Sequence, residues 1–384
     1  MKLLEFSVTL ILVTLLGFGS CVRADQDVYR QAKQAIAELA AKAQLPSLSV
    51  AIGKGEDVTL ATAVGYANVQ QGLEATTRTR YSVASVAKPM TTVALALLVD
   101  TGRVQLDAPV GRYLDHPAYV DSFTVRELAA HLAGIPHDTA ERERAEFLAP
   151  KDHQSPFDAF YVFEQHGLLF EPGTDFYYSS SGYILLSALI ERVSKKGFVN
   201  YLQMAVWSEL GMSETALDTL KHEKGEEATY YATFDSNQGY TAAERQRDRS
   251  FLFGGGGFLS TPSDLVKLAR ATYDTNFLSA EARHAMYTAT PLRNGEPNSE
   301  NYSLGWRVGS IQSESTRQWL TLEHAGLMEG AATAYLLVVP ECQQSLAFAT
   351  NFVPRAFWEL FVEAKSLLRL TLDESLCRKI LPPS

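Results

Sequence analysis

The chain has 384 residues, of which 46% are hydrophobic and 20% charged. That excludes a disordered chain and is ample for a full core. Lys and Arg number 34 against 44 Asp and Glu, a net charge of −10, which argues against a general nucleic-acid binder because such proteins need a basic footprint. The glycines and prolines are scattered, and no repeat or low-complexity tract is present.

Residues 6–22, FSVTLILVTLLGFGSCV, carry no charge. The run is short for a bilayer span, which needs about 20 apolar residues, and suits the apolar stretch of a signal peptide. Two processing sites compete. Val22-Arg23-Ala24 fits the small-residue rule, with cleavage before Asp25 and a signal peptide over 1–24. Gly19-Ser20-Cys21 resembles a bacterial lipoprotein box, with Phe18 a poor fit at its aliphatic position. Export to a periplasm or the medium is expected, with membrane association only through this segment or a lipid on Cys21. Beyond it only Cys342 and Cys377 remain. In an exported protein they can bridge, since the helical pattern over 355–371 would run back toward the turn that holds Cys342; two separate thiols are the alternative.

Residues 26–44 are rich in helix formers and predict an amphipathic helix. SLSVAIG (47–53) and VTLATAVGYAN (58–68) flank a charged glycine turn and predict a hairpin. PMTTVALALLVDTGRV (89–104) predicts a strong helix that ends near Gly102. From about 106 to 250 the pattern is mainly helical, with long polar loops. After Phe253 and the four glycines 254–257 it returns to helix, then to the strands YLLVVPE (335–341) and SLAFATNF (345–352), then to a last helix. Strands at both ends predict one α/β (α+β) unit over about 25–105 and 254–384, with a mainly helical insertion over about 106–253.

Ser85-Val86-Ala87-Lys88 stands at the start of the strong helix. Residues i and i+3 share a helix face, so the Lys amine can reach the Ser hydroxyl. A hydroxyl is a weak nucleophile without an adjacent base. Lys serves as one only when its pKa falls well below about 10.4, through burial or the positive end of the helix dipole. The same helix start presents free backbone N–H groups suited to an oxyanion. Taken alone, the pair also fits a surface Lys near a helix start. Proton delivery to a leaving group needs a further residue, and Tyr178 in Tyr178-Ser179-Ser180, just before the helical run 181–194, is a candidate. His324-Ala325-Gly326 precedes a strand, and a glycine there lets a substrate backbone come close.

His131 and His137 lie in a turn and read as structural. No metal-ligand pattern accompanies them, so neither metal nor cofactor is expected. Gly254 to Gly257 lack the Gly-Lys-Ser/Thr of a phosphate loop and read as backbone that passes close to a site or neighbouring strand. No Gly-x-Ser-x-Gly elbow is present, which argues against an α/β-hydrolase. Loops such as 136–160 and 230–252 are read as cleft walls, with no code for the substrate.

In this order, the segments around Ser85, Tyr178 and His324 resemble the serine β-lactamase-like and penicillin-binding-protein superfamily. The likeness is to its class C-type members, including the mitochondrial β-lactamase-like serine proteases and their bacterial relatives. LDAPVGRYL (106–114), HLAGIP (131–136), EPGTDFYYSS (171–180), LGMSET (210–215), GGGGFLSTPSDL (254–265) and YSLGW (302–306) extend the likeness over about 45–350.

The resemblance implies an antiparallel sheet flanked by helices. It also implies that Ser85 is the acylated nucleophile, Lys88 its general base and Tyr178 the proton shuttle. The backbone N–H groups of Ser85 and Leu327 would form the oxyanion hole. Ser180 stands at the Asn of the Tyr-x-Asn motif, and His324 and Gly326 stand in place of the Lys-Thr-Gly strand motif, all three facing substrate. Two departures bear on activity. Ser180 lacks an amide, and a neutral imidazole at His324 attracts a carboxylate less than a Lys would. A small-molecule or peptide substrate is therefore expected, with peptidase or esterase activity ahead of efficient β-lactam hydrolysis. The alternative is a binding or sensor protein on the same fold, acylated once or not at all.

Overall fold

Along Ser47–Lys54 (β1), Leu48, Val50 and Ile52 fall on one face and Ser49, Ala51 and Gly53 on the other, as the two-residue period of a strand requires. Both faces are buried, so β1 is an interior strand. The computed structural model describes residues 28–117, 119–137, 153–219, 227–243, 249–313, 315–328, 330 and 332–379. The expected signal peptide 1–24, the alternative site at Cys21 and residues 138–152 of the expected cleft wall lie outside the described residues.

A helix over 28–42 (α1) leads into β1. Asp57–Asn68 (β2) completes the hairpin, followed by Leu73–Glu74 (β3), Tyr81–Ser82 (β4) and helix α2 (Ala87–Asp100). Helices α3 (Val125–Ala129), α4 (Ser180–Ser194) and α5 (Phe198–Leu202) come next. Then follow β5 (Ala216–Leu217), β6 (Tyr231–Asp235), β7 (Gly239–Ala242), β8 (Phe258–Ser260), α6 (Pro262–Ala269) and α7 (Ala280–Tyr287). The C-terminal part holds β9 (Arg307–Gln312), β10 (Gln318–Met328), β11 (Ala332–Val339), β12 (Gln344–Thr350) and α8 (Phe357–Thr371).

Seven strands form an antiparallel sheet in the order β3-β2-β1-β12-β11-β10-β9. The β1–β12 pairing, with Ser49 opposite Ala349, closes the N-terminal hairpin onto the C-terminal strands. Leu48, Val50, Ile52, Leu337, Leu346 and Phe348 pack on one face with Ile36 of α1 and Leu360, Leu367 and Leu368 of α8. On the other face Ala51, Leu336, Val338, Ala347 and Ala349 join the larger core of α2, α4 and α6. The expected antiparallel sheet flanked by helices is thus the fold of the chain.

Helix α2 is buried nearly all round, as expected of a helix enclosed by core. It begins at Ala87, two residues before the predicted start, and closes at Gly102, whose φ is 68°; the Gly102 N–H donates to the Val99 carbonyl and the Arg103 N–H to that of Leu98. The stretch 106–253, read as mainly helical, also carries the β6–β7 hairpin. Its turn is set by Asp235, whose carboxylate accepts from the backbone N–H groups of Asn237 and Gln238. Cys342, after β11, and Cys377, after α8, form a disulfide.

Candidate active site

Ser85 lies in the tight turn Ala84–Val86 and Lys88 in the first turn of α2. Ala84 takes a left-handed φ of 46°, an uncommon conformation for a residue with a Cβ, which presents Ser85 at the helix start. Lys88 is fully buried. Its Nζ stands 3.1 Å from Ser85 Oγ, 3.0 Å from Ser180 Oγ and 2.6 Å from the Gly255 carbonyl oxygen. A neutral amine has two N–H donors and one lone pair. The carbonyl can only accept, and the Ser180 hydroxyl can accept the other N–H. The lone pair is then left for the Ser85 O–H. Burial, with the positive charge of Arg307 second, holds the Lys88 pKa well below its ordinary 10.5.

Tyr178 precedes α4, whose first turn is capped by Ser179 accepting from the Gly182 N–H. Burial raises the Tyr178 pKa, with the nearby Ser85 side chain opposing it. Tyr178 is therefore a protonated phenol. Lys88 Nζ lies 4.6 Å from the centre of the Tyr178 ring.

His131 and His137 read as structural, and they place this segment: the Ser179 and Ser180 N–H groups donate to His131 Nδ1 and His137 Nδ1 at 3.1 and 3.0 Å. His137 also lines the cleft. Burial, then Lys88, pushes its pKa down to about 4, and the same causes lower that of His131, so both rings are neutral acceptors at pH 7.

The four glycines behave as the close-approach reading predicts. A Cβ at Gly254 would meet Thr91 Oγ1 at 2.2 Å and one at Gly257 would meet the Arg249 carbonyl oxygen at 2.7 Å. The backbone thereby runs near enough to α2 for the Gly255 carbonyl to reach Lys88. On β10, a Cβ at Gly326 would stand 2.1 Å from the Val83 carbonyl oxygen and 3.2 Å from the Ser85 nitrogen. Only glycine lets this strand lie against the turn that carries Ser85. Leu327 follows it at the cleft edge.

His324 departs from the expected substrate-facing position. It is fully buried and is not among the cleft-lining residues. Its Nδ1 bonds its neighbour's Ala325 carbonyl oxygen at 2.8 Å, which fixes the proton there. Its Nε2 therefore accepts from the Tyr302 hydroxyl at 2.9 Å. The physical reason is that Tyr302, from the Tyr-Ser-Leu-Gly-Trp segment, engages the ring behind the cleft wall.

The cleft encloses about 510 Å³, and Ser85, Tyr178, Ser180, Gly255, Leu327 and Met328 are among its walls. Arg307, one residue beyond that segment and opposite Glu323 of β10, also faces it. Sequence reasoning missed Arg307 because only the β9–β10 register brings it there.

A buried Lys beside a turn-borne Ser, a protonated Tyr and a close glycine strand define a serine hydrolase of the β-lactamase and penicillin-binding-protein fold. Residues 32–359 match the family described as Beta-lactamase, and the chain belongs to that family and is a serine hydrolase. It is 24% identical to Penicillin-binding protein 4* of Bacillus subtilis (strain 168), over 79% of this chain and 67% of the relative. It is also 24% identical to the mitochondrial serine beta-lactamase-like protein LACTB of Mus musculus, over 88% of this chain and 76% of the relative. Among solved structures, the octameric penicillin-binding protein homologue from Pyrococcus abyssi matches with a TM-score of 0.69 and 25% identity, over 87% of this chain and 76% of that one.

Proposed function

We propose that this chain is an exported hydrolase that cleaves an ester, peptide or amide through an acyl-enzyme on Ser85. The observation that carries the reading is the buried Lys88 amine 3.1 Å from the Ser85 hydroxyl, its pKa held well below 10.5 by burial and then by Arg307. Lys88 takes the proton as Ser85 Oγ bonds the substrate carbonyl carbon. The resulting oxyanion accepts from the backbone N–H groups of Ser85 and Leu327. Tyr178 gives its proton to the leaving group and is reprotonated from the Lys88 ammonium. Water then attacks the acyl carbon, its proton returns through the same pair, and Ser85 is released.

Ser180 serves this site as the second partner of Lys88, and Gly326 as the close approach that brings β10 to Ser85. With no amide at Ser180 and His324 turned to Tyr302, β-lactams are turned over more slowly than esters or short peptides. Export rests on residues 1–24, with periplasmic or secreted localisation and a lipid on Cys21 as the anchored variant. The Cys342–Cys377 bridge is in keeping with an oxidising compartment.

The test is a fluorophosphonate probe on the purified chain with intact-mass detection. One adduct that maps to Ser85 and is absent in Ser85→Ala is the expected result. Ester or peptide hydrolysis retained by Ser85→Ala would overturn the reading. A folded chain that gives neither adduct nor turnover would favour a non-catalytic binding protein.

A further inference from the structure

Leu360, Ala364, Leu367 and Leu368 turn one face of α8 onto the sheet. The opposite face is open. Trp358, Val362, Ser366 and Leu370 follow at steps of four, which sets them along one ridge of the helix. All four are exposed, Trp358 by 57% and Val362 by 61%. The other tryptophans of the chain, Trp207, Trp306 and Trp319, are buried. Single exposed apolar side chains are ordinary, but a tryptophan and a valine one turn apart, with a leucine farther along the same ridge, form a patch.

The chain as a whole stands at −10, yet the charges left open beside this ridge are cationic. Glu359 and Glu363 face Lys42 of α1 at 3.9 and 3.8 Å, and Asp373 holds Lys54 at 2.6 Å. Glu374, beyond the helix, accepts from the Ser315 hydroxyl at 2.6 Å. Arg355, Arg369 and Lys379 are exposed and have no carboxylate partner among the described residues. Tryptophan and aliphatic side chains flanked by arginine and lysine suit the headgroup region of an anionic bilayer, where the rings sit at the boundary and the cations meet phosphate.

The chain also brings this layer near lipid. Helix α1 lies beside α8 on the same face of the sheet, with Ile36 and Leu360 in one cluster. Residues 23–27 alone separate α1 from the uncharged run 6–22, and five residues reach about 18 Å at most. A bilayer that holds that run, or a lipid on Cys21, is thus within a short tether of the α1–α8 layer.

We propose that the outer face of α8 is a docking surface for an anionic lipid bilayer, with Trp358 and Val362 at the boundary and Arg355 and Arg369 on the headgroups. Ser85 and α2 lie on the other side of the sheet, so a chain docked in this way keeps its cleft toward water. The proposal does not depend on the acyl-enzyme reading.

Trp358 is its own reporter, being the exposed one of four. The full chain is mixed with vesicles of equal parts phosphatidylcholine and phosphatidylglycerol, with Trp358→Phe as the baseline for the buried rings. Trp358 emission should shift to the blue, lose its quenching by acrylamide and become quenched by phosphatidylglycerol brominated on its acyl chains. Arg355→Gln/Arg369→Gln should raise the lipid needed for half of the shift about tenfold or more, since each cation near an anionic surface contributes about a factor of five.

A chain that sediments with the vesicles while Trp358 stays open to acrylamide and unquenched by the brominated lipid would overturn the proposal, because the run 6–22 then binds alone. Absence of vesicle binding would overturn it too. A blue shift without lipid that grows with protein concentration and is lost in Val362→Asp would assign the face to a second copy of the chain instead. Failure of the nucleophile reading is separate: it removes the fluorophosphonate adduct on Ser85 and leaves the Trp358 signal as it was.

Discussion

Lys88 Nζ stands 2.6 Å from the Gly255 carbonyl oxygen, the shortest of its three contacts. This contact orients the amine. With one N–H directed to a carbonyl that cannot donate, and another taken by Ser180, the lone pair faces Ser85. The arrangement needs a side chain that can shed its proton. Lys88→Arg keeps the cation at any accessible pH, so it should lose activity as fully as Lys88→Ala. Both should fall by about 10²- to 10⁴-fold in kcat/KM. Measured turnover of a nitrophenyl ester would decide it, and a Lys88→Arg variant near wild-type rate would remove Lys88 from the role of base.

The pH dependence follows from the same amine. As the proposed base, Lys88 would act when neutral, so kcat/KM should fall as pH drops through its folded pKa, which burial and Arg307 hold well below 10.5. Arg307→Gln removes the second cause, so the acid limb should move to higher pH. His137 titrates at about 4, below the range in which that movement is read.

Stability should carry a matching signature. The unfolded chain binds the Lys88 proton up to about pH 10.5 and the folded chain does not, so between the folded pKa and 10.5 stability rises with pH. The slope approaches about 1.4 kcal/mol per pH unit. Lys88→Met should lack this component in denaturant titrations across that window. Equal slopes in the two proteins would mean that Lys88 is charged when folded.

The legible and illegible parts of this site divide by the range of the interaction. Ser85 and Lys88 are three residues apart on one helix start, so their meeting follows from helix geometry alone. The glycines 254–257 announce a close approach without naming its partner. Arg307 reaches the cleft only through its cross-strand position opposite Glu323, and no local pattern records a register. His324 turns away because Tyr302, 22 residues earlier, engages its ring. The histidines that hold Ser179 and Ser180 act across more than 40 residues of sequence. In the fold, the alternating strands at both ends were readable. The β6–β7 hairpin was not, because its aromatic run lies inside a stretch dominated by helical and polar patterns.

Gly326→Ala tests the proximity of β10 to Ser85. The new Cβ would fall 2.1 Å from the Val83 carbonyl oxygen, a backbone atom that cannot rotate away. The strand and the Ser85 turn must separate, which would carry the Leu327 N–H away from the proposed oxyanion position. A loss of about 10²-fold in kcat and of about 1–3 kcal/mol in stability is expected. Gly167→Ala, where a Cβ meets nothing within 4 Å, serves as the control. A Gly326→Ala enzyme with unchanged kcat would show that Leu327 N–H is not an oxyanion donor.

The disulfide makes a prediction about stability without activity. Cys342 and Cys377 are 35 residues apart in sequence, and both pack in the apolar cluster of α1 and α8 on the sheet face away from α2. Closing a loop of that length removes denatured-state entropy equivalent to about 3–4 kcal/mol. The double variant Cys342→Ala/Cys377→Ala should therefore melt about 5 °C lower, by the size scaling of the unfolding entropy, with kcat/KM for a nitrophenyl ester unchanged. A reductant should bring the wild-type Tm down toward the same value while leaving the variant where it is. If the reductant instead shifts both proteins equally, the loss of Tm comes from the reductant's effect on the rest of the chain, and the bridge contributes nothing to holding α8 on the sheet.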